Sequence, residues 1–134
     1  MGQAKRTILV VEDEDDIRTL VGEALEMEGY AVIPAANGQE AIDALHAADL
    51  PDLILLDLMM PVKDGYEFRR EQTAEPRWKD IPVVIMTADG NAIHKMRQDE
   101  GAAPGLRKPV DLDELVAVIN RWCAPPLQRT PGER

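Results

Sequence analysis

Cysteine is all but missing from this chain: Cys123 stands alone, so there is no intrachain disulfide and no thiolate metal site. It follows Trp122 near the end of an expected helix and reads as a small packed residue. No apolar run approaches the ~20 residues that cross a bilayer, and no signal-peptide core is present. Met1-Gly2 opens like a lipidation signal, but Arg6 stands where Ser or Thr is required. Basic residues are in deficit, 15 against 25 acidic, for a formal net charge of −10. That balance argues against nucleic acid, which needs a basic face to displace counterions, and against an anionic membrane surface. Repeats and linkers are absent as well. The expectation is one cytoplasmic domain of ordinary size, burying roughly two-thirds of its unfolded surface.

What is present alternates. Thr7 to Val11, Ala31 to Ala35, Leu53 to Leu56, Ile81 to Met86 and the short Leu106-Arg107 read as strands. The first, third and fourth are continuous apolar runs, the pattern of strands covered on both faces. Between them lie helical periodicities. Ile17, Leu20, Val21, Ala24 and Leu25 mark the first helix, with Gly29 at its C-terminal cap. Asn37 with Glu40 reads as the capping box of a second helix, carrying Ala41, Ile42, Leu45 and Ala48. A third begins near Asp64 or Gly65 and is ended by Pro76. A fourth, over 91–100, has few apolar positions: Ala92, Ile93 and Met96. Asp111 and Glu114 start the last, whose apolar face is Leu112, Leu115, Val116, Ile119 and Trp122. Five strand–helix alternations imply an α/β domain, doubly wound on a parallel sheet, with its functional edge at the strands' carboxyl ends. Residues 1–6 and 124–134 are expected to be disordered, leaving 7–123 as the domain.

The residues at that edge are Glu12 and Asp13, Asp57, Thr87 and Lys108. Taken singly, each has a bland reading: Asp57 as a turn former, Glu12 as an acid at a helix N-terminus, Thr87 as a strand end, Lys108 as a solvated charge. Read together, three carboxylates crowd one another and raise each other's pKa, which calls for a cation. Mg²⁺ suits a partly hydrated site with two or three carboxylates. A carboxylate nucleophile beside a metal, a hydroxyl and an ammonium is equipped to form an aspartyl phosphate. His46 and His94 fall on helices away from this edge and read as surface residues.

Val-Val-Glu-Asp-Glu, Leu-Leu-Asp-Leu-Met-Met-Pro-Val-Lys-Asp-Gly, Val-Ile-Met-Thr-Ala and Lys-Pro, in this order, resemble the receiver domain of two-component response regulators. The resemblance runs from about Ile8 to Trp122. It implies a flavodoxin-like sheet of order 2-1-3-4-5 and a phosphoacceptor at Asp57, charged by a histidine kinase or histidine phosphotransfer protein. It further implies Mg²⁺ held by Asp13, Asp57 and the Met59 carbonyl, with Glu12 direct or through water. Thr87 and Lys108 would contact the phosphoryl oxygens, Ala88 would leave the approach open, and the Lys108-Pro109 bond would be cis. Output would pass to a protein partner through the face of the fourth helix, fifth strand and last helix, with no attached output domain.

Gly105 departs from the family's pattern, which places an aromatic three residues before the lysine. This leaves an expected opening beside the fourth helix that a neighbouring side chain could enter, and keeps alive a pseudo-receiver that binds its partner regardless of phosphate. A Mg²⁺-dependent phosphohydrolase is the enzymatic alternative. Its usual acid/base position, two residues after the nucleophile, is here Met59, which cannot transfer a proton.

Overall fold

The computed structural model describes residues 5–47, 49–94 and 105–123. The parts of the expected disordered ends at 1–4 and 124–134, together with Ala48 and Met96, lie outside the described residues. Five parallel strands, β1 (Thr7–Val11), β2 (Ala31–Ala35), β3 (Leu53–Asp57), β4 (Val83–Thr87) and β5 (Gly105–Arg107), form one sheet of order β2-β1-β3-β4-β5. The helices are α1 (Asp15–Met27), α2 (Gly38–His46), α3 (Gly65–Ala74), α4 (residues 90–94 as described) and α5 (Leu112–Trp122).

Alternation along each strand divides the core in two. Leu9, Val11, Ile54, Leu56, Val83 and Ile85 point to the side of α2, α3 and α4, where Ala41, Leu45, Phe68 and Ala92 cover them. Ile8, Val10, Leu53, Leu55, Val84 and Met86 point to the side of α1 and α5, against Val21, Leu25, Leu115 and Ile119. Each fully buried aliphatic chain of this kind contributes about 1.5–3 kcal/mol. With helices on both faces, the sheet offers functional groups a route to solvent at its strand ends. Of these, only the carboxyl edge carries the expected constellation.

Several local expectations are corrected. β4 starts at Val83, because Pro82 has no N–H for the ladder; its carbonyl instead accepts the Ile54 N–H at 2.9 Å. β5 begins one residue early, at Gly105. Leu20 and Trp122 are exposed, not packed. The inner stripe of α1 runs through Val21 and Leu25, and that of α5 through Leu115, Ile119 and the buried Cys123. Asn37 caps α2 as expected, but Glu40 reaches past it to the Ala36 N–H at 2.8 Å. Asp111 caps α5 by accepting the Asp113 and Glu114 N–H groups, with no return bond from Glu114 among the described residues. The complete reciprocal box is at Asp64 and Glu67, opening α3. The opening expected at Gly105 is entered by a neighbouring side chain, as anticipated: Ile93 fills it, lying where a Cβ would be.

Candidate functional site: an acidic pocket at the strand ends

Asp57 is the last residue of the central strand and is 2% exposed. Its Oδ1 accepts the Met59 backbone N–H at 3.1 Å, and its Oδ2 accepts from Lys108 Nζ at 3.1 Å. Lys108 arrives immediately after β5, and its backbone N–H is tied to the Thr87 carbonyl at 2.9 Å. The Lys108-Pro109 bond is cis. The ammonium also lies 2.8 Å from Glu12 Oε1, as an ion pair whose angle is not that of a hydrogen bond.

Glu12 is fully buried just beyond β1. Its other oxygen, Oε2, accepts the Glu14 N–H at 2.9 Å. Asp13, half-buried, completes the set: one ligand oxygen each from Glu12, Asp13 and Asp57 lie within 4.8 Å of one another. Hard oxygen donors at this spacing fit a small divalent cation such as Mg²⁺, and the buried Glu12 Oε1 meets the Lys108 ammonium. The pocket thus brings together Glu12, Asp13, Asp57 and Lys108. Thr87 is buried at the end of the adjacent β4, and its Oγ1 accepts the Asp89 N–H at 3.3 Å. Ala88 is exposed beside it. Met59 is 67% exposed and meets Asp57 through its backbone N–H.

The electrostatics differ in cause from the sequence expectation. Asp57 and Glu12 both titrate above the usual carboxylate range, but burial is the main reason, and repulsion between carboxylates is secondary. Lys108 and the backbone N–H groups of Met59 and Glu14 pull in the other direction. For Lys108, the two carboxylates outweigh burial and hold its pKa above the ordinary lysine value. The pocket therefore carries excess negative charge that a single ammonium does not neutralise.

His46 and His94 lie on exposed helix positions, as expected, and His46 packs edge-on against Trp78. The sequence does not single out Arg18, whose Nη1 donates to the Glu12 carbonyl at 2.8 Å. A lone arginine in an acidic helix start carries no motif, so only the fold reveals it.

Comparison with known proteins places this geometry in a family. The profile of the response regulator receiver domain matches residues 8–120. The phosphate regulon transcriptional regulatory protein PhoB of Pseudomonas aeruginosa is 42% identical over 130 residues, covering 96% of this chain and 55% of that protein. The DNA-binding dual master transcriptional regulator RpaA of a Synechocystis species is 40% identical over 113 residues, covering 84% and 46%. The chain thus spans about half the length of these curated relatives. Among solved structures, the chemotaxis protein CheY4 of Vibrio cholerae superposes with a TM-score of 0.81 at 30% identity, covering 89% of this chain and 99% of that one. A response regulator from Chloroflexus aurantiacus gives 0.82, also at 30% identity, over 90% and 99%. No helix among the described residues is long and apolar enough to cross a membrane. The chain belongs to the receiver domains of two-component response regulators.

Proposed function

We propose that Asp57 is the phosphoacceptor and that phosphorylation switches the binding of a protein partner. The observation that carries this is Asp57 itself: a buried carboxylate at a strand terminus, converging with Glu12 and Asp13 and held by Lys108 and the Met59 N–H. In this reading a carboxylate oxygen of Asp57 attacks phosphorus of a phosphohistidine on a histidine kinase or phosphotransfer protein. The P–N bond breaks as the P–O bond forms, and the imidazole departs with the electron pair. Lys108, already at Asp57 Oδ2, pairs with a phosphoryl oxygen, and the Thr87 hydroxyl donates to another. Ala88, with only a methyl group, leaves the approach clear. Receiver domains generally bind Mg²⁺ at such an acidic pocket. Here Asp13, Asp57 and the Met59 carbonyl would hold it, with Glu12 direct or through water, and it would supply positive charge to the transferring phosphoryl group.

Output follows from Thr87 and the loop Ala88-Asp89, which lead straight into α4. Their displacement alters the α4–β5–α5 face, a population shift biased by the phosphoryl contacts. The net charge of −10 makes a protein surface the favoured partner of this domain. PhoB and RpaA are by name transcriptional regulators, about twice as long as this chain. Incubation with acetyl phosphate and Mg²⁺ is expected to add one base-labile phosphoryl group, and Asp57→Asn to abolish it. Labelling of the variant at the wild-type level would remove Asp57 from the reaction.

A further inference from the structure

Residues 12–16 are five consecutive acids, Glu-Asp-Glu-Asp-Asp, and two of them must hold a fixed geometry beside Asp57. Besides the Lys108 ion pair at Glu12 Oε1, three hydrogen bonds secure the start of this segment. The Glu12 N–H donates to the Ala35 carbonyl at 3.0 Å, and Glu12 Oε2 accepts the Glu14 N–H at 2.9 Å. The third is made by a cation on the backbone: Arg18 Nη1 donates to the Glu12 carbonyl oxygen at 2.8 Å, while Nη2 pairs with the Asp15 carboxylate. The Arg18 side chain is 19% exposed, and Arg18 lines a groove with Val32 and Pro34 of β2.

This cation stands in the first turn of α1, the end at which the helix dipole favours anions. The helix dipole therefore does not favour its placement; its pair with Asp15 supports the helix turn, and its bond to the Glu12 carbonyl reaches the loop. A guanidinium presents two N–H groups in a rigid fork, and here one prong takes the backbone between the two pocket acids while the other takes Asp15. We propose that Arg18 is a positioning residue for the cation pocket: through the Glu12 carbonyl it orients the peptide joining Glu12 to Asp13, and so their carboxylates. The inference rests on the pocket binding Mg²⁺. Arg18 itself touches none of the three converging carboxylates among the contacts of the described residues.

Calorimetric titration with MgCl₂ tests this by sign. Removing a nearby positive charge should, by electrostatics alone, tighten Mg²⁺ binding. Loss of positioning should loosen it, and groups that orient metal ligands typically change affinity about 10–100-fold. Arg18→Met is expected to weaken Mg²⁺ at least about tenfold, and Arg18→Lys, which can still donate one bond to the carbonyl, to recover part of that loss. Circular dichroism shows whether each variant is folded; should Arg18→Met not fold, Arg18→Gln takes its place, with weakening again expected. Unchanged or tighter binding in the folded variant overturns the inference while leaving the pocket reading intact. Failure of the wild-type protein to bind Mg²⁺ overturns both.

Discussion

Val62 is the residue whose backbone most conflicts with its side chain. Its φ is +69°, the one positive value at a non-glycine position among the described residues. The Lys63 N–H bonds back to the Pro61 carbonyl at 2.7 Å, closing a three-residue turn of the rare, strained γ form. A β-branched side chain is poorly suited to that region, and at 80% exposure Val62 gains little packing to offset it. The turn is nevertheless useful to the site. It delivers the Lys63 carbonyl to the Gly38 N–H at 2.8 Å and sets Asp64 as the cap of α3, which pins the loop after Asp57. Backbone strain of this kind is about 1–3 kcal/mol, and the added chain freedom of glycine returns about 0.5–1 of it. Val62→Gly should therefore stabilise the protein by roughly 1 kcal/mol, raising the unfolding midpoint by about 3–5 °C. Calorimetry in Mg²⁺-free buffer measures it, and a lowered midpoint would show that the turn is not strained.

At the scale of elements, α4 and β5 are keyed together by two glycines. Gly105 and Arg107 share the face of β5 turned toward α4. Ile93 occupies the place of a Gly105 side chain, and the Arg107 guanidinium lies 3.2 Å from where a Gly90 Cβ would sit. Each element thus inserts a side chain over the other's glycine. The position where the family has an aromatic is filled from the opposite side, by a helix that starts in the Thr87 loop. Ile93 is stiff at its branched Cβ, so Gly105→Ala must displace α4. Overpacking of this sort costs about 1–3 kcal/mol, and amide exchange over residues 88–94 should accelerate. Trimming the intruder relieves it: Gly105→Ala with Ile93→Ala is expected to be more stable than the sum of the single effects by at least about 1 kcal/mol. Strict additivity in that cycle would mean the two residues do not bear on each other.

At the scale of the whole molecule, the pocket is a local excess of charge in a chain that is already anionic. Burial raises the pKa of Asp57 in the folded state, so its ionisation opposes folding. The sign follows: the penalty is absent below the ordinary aspartate pKa, grows as pH rises through the raised folded value, and is complete above it. Without Mg²⁺, Asp57→Asn should be more stable than wild type at pH 7, and the gap should close as the solution is acidified through that window. Lys108 behaves oppositely: its raised pKa means a stabilising contribution present below the ordinary lysine value and lost as pH rises through the higher folded one. Urea denaturation of both proteins across pH 4–8 follows the first effect. A gap independent of pH would show that the Asp57 charge does not weigh on the fold.

The alternation of apolar runs with helical stripes determined the fold class, the carboxyl edge and the identity of Glu12, Asp13, Asp57, Thr87 and Lys108 as its residues, because strand period, helix period and caps are local properties of a chain. The local reading went astray where a longer-range partner decides. Pro82 shortened β4, Glu40 found Ala36 in preference to Asn37, and Leu20 and Trp122 turned outward because the stripes that pack are chosen by the sheet beneath them. Only the tertiary structure decided that Lys108 bridges Asp57 and Glu12, that burial more than mutual repulsion sets their pKa, that Arg18 grips the loop between them, and that Ile93 fills Gly105. Each of these depends on distances between residues remote in sequence, or on solvent excluded by elements that a local pattern cannot place.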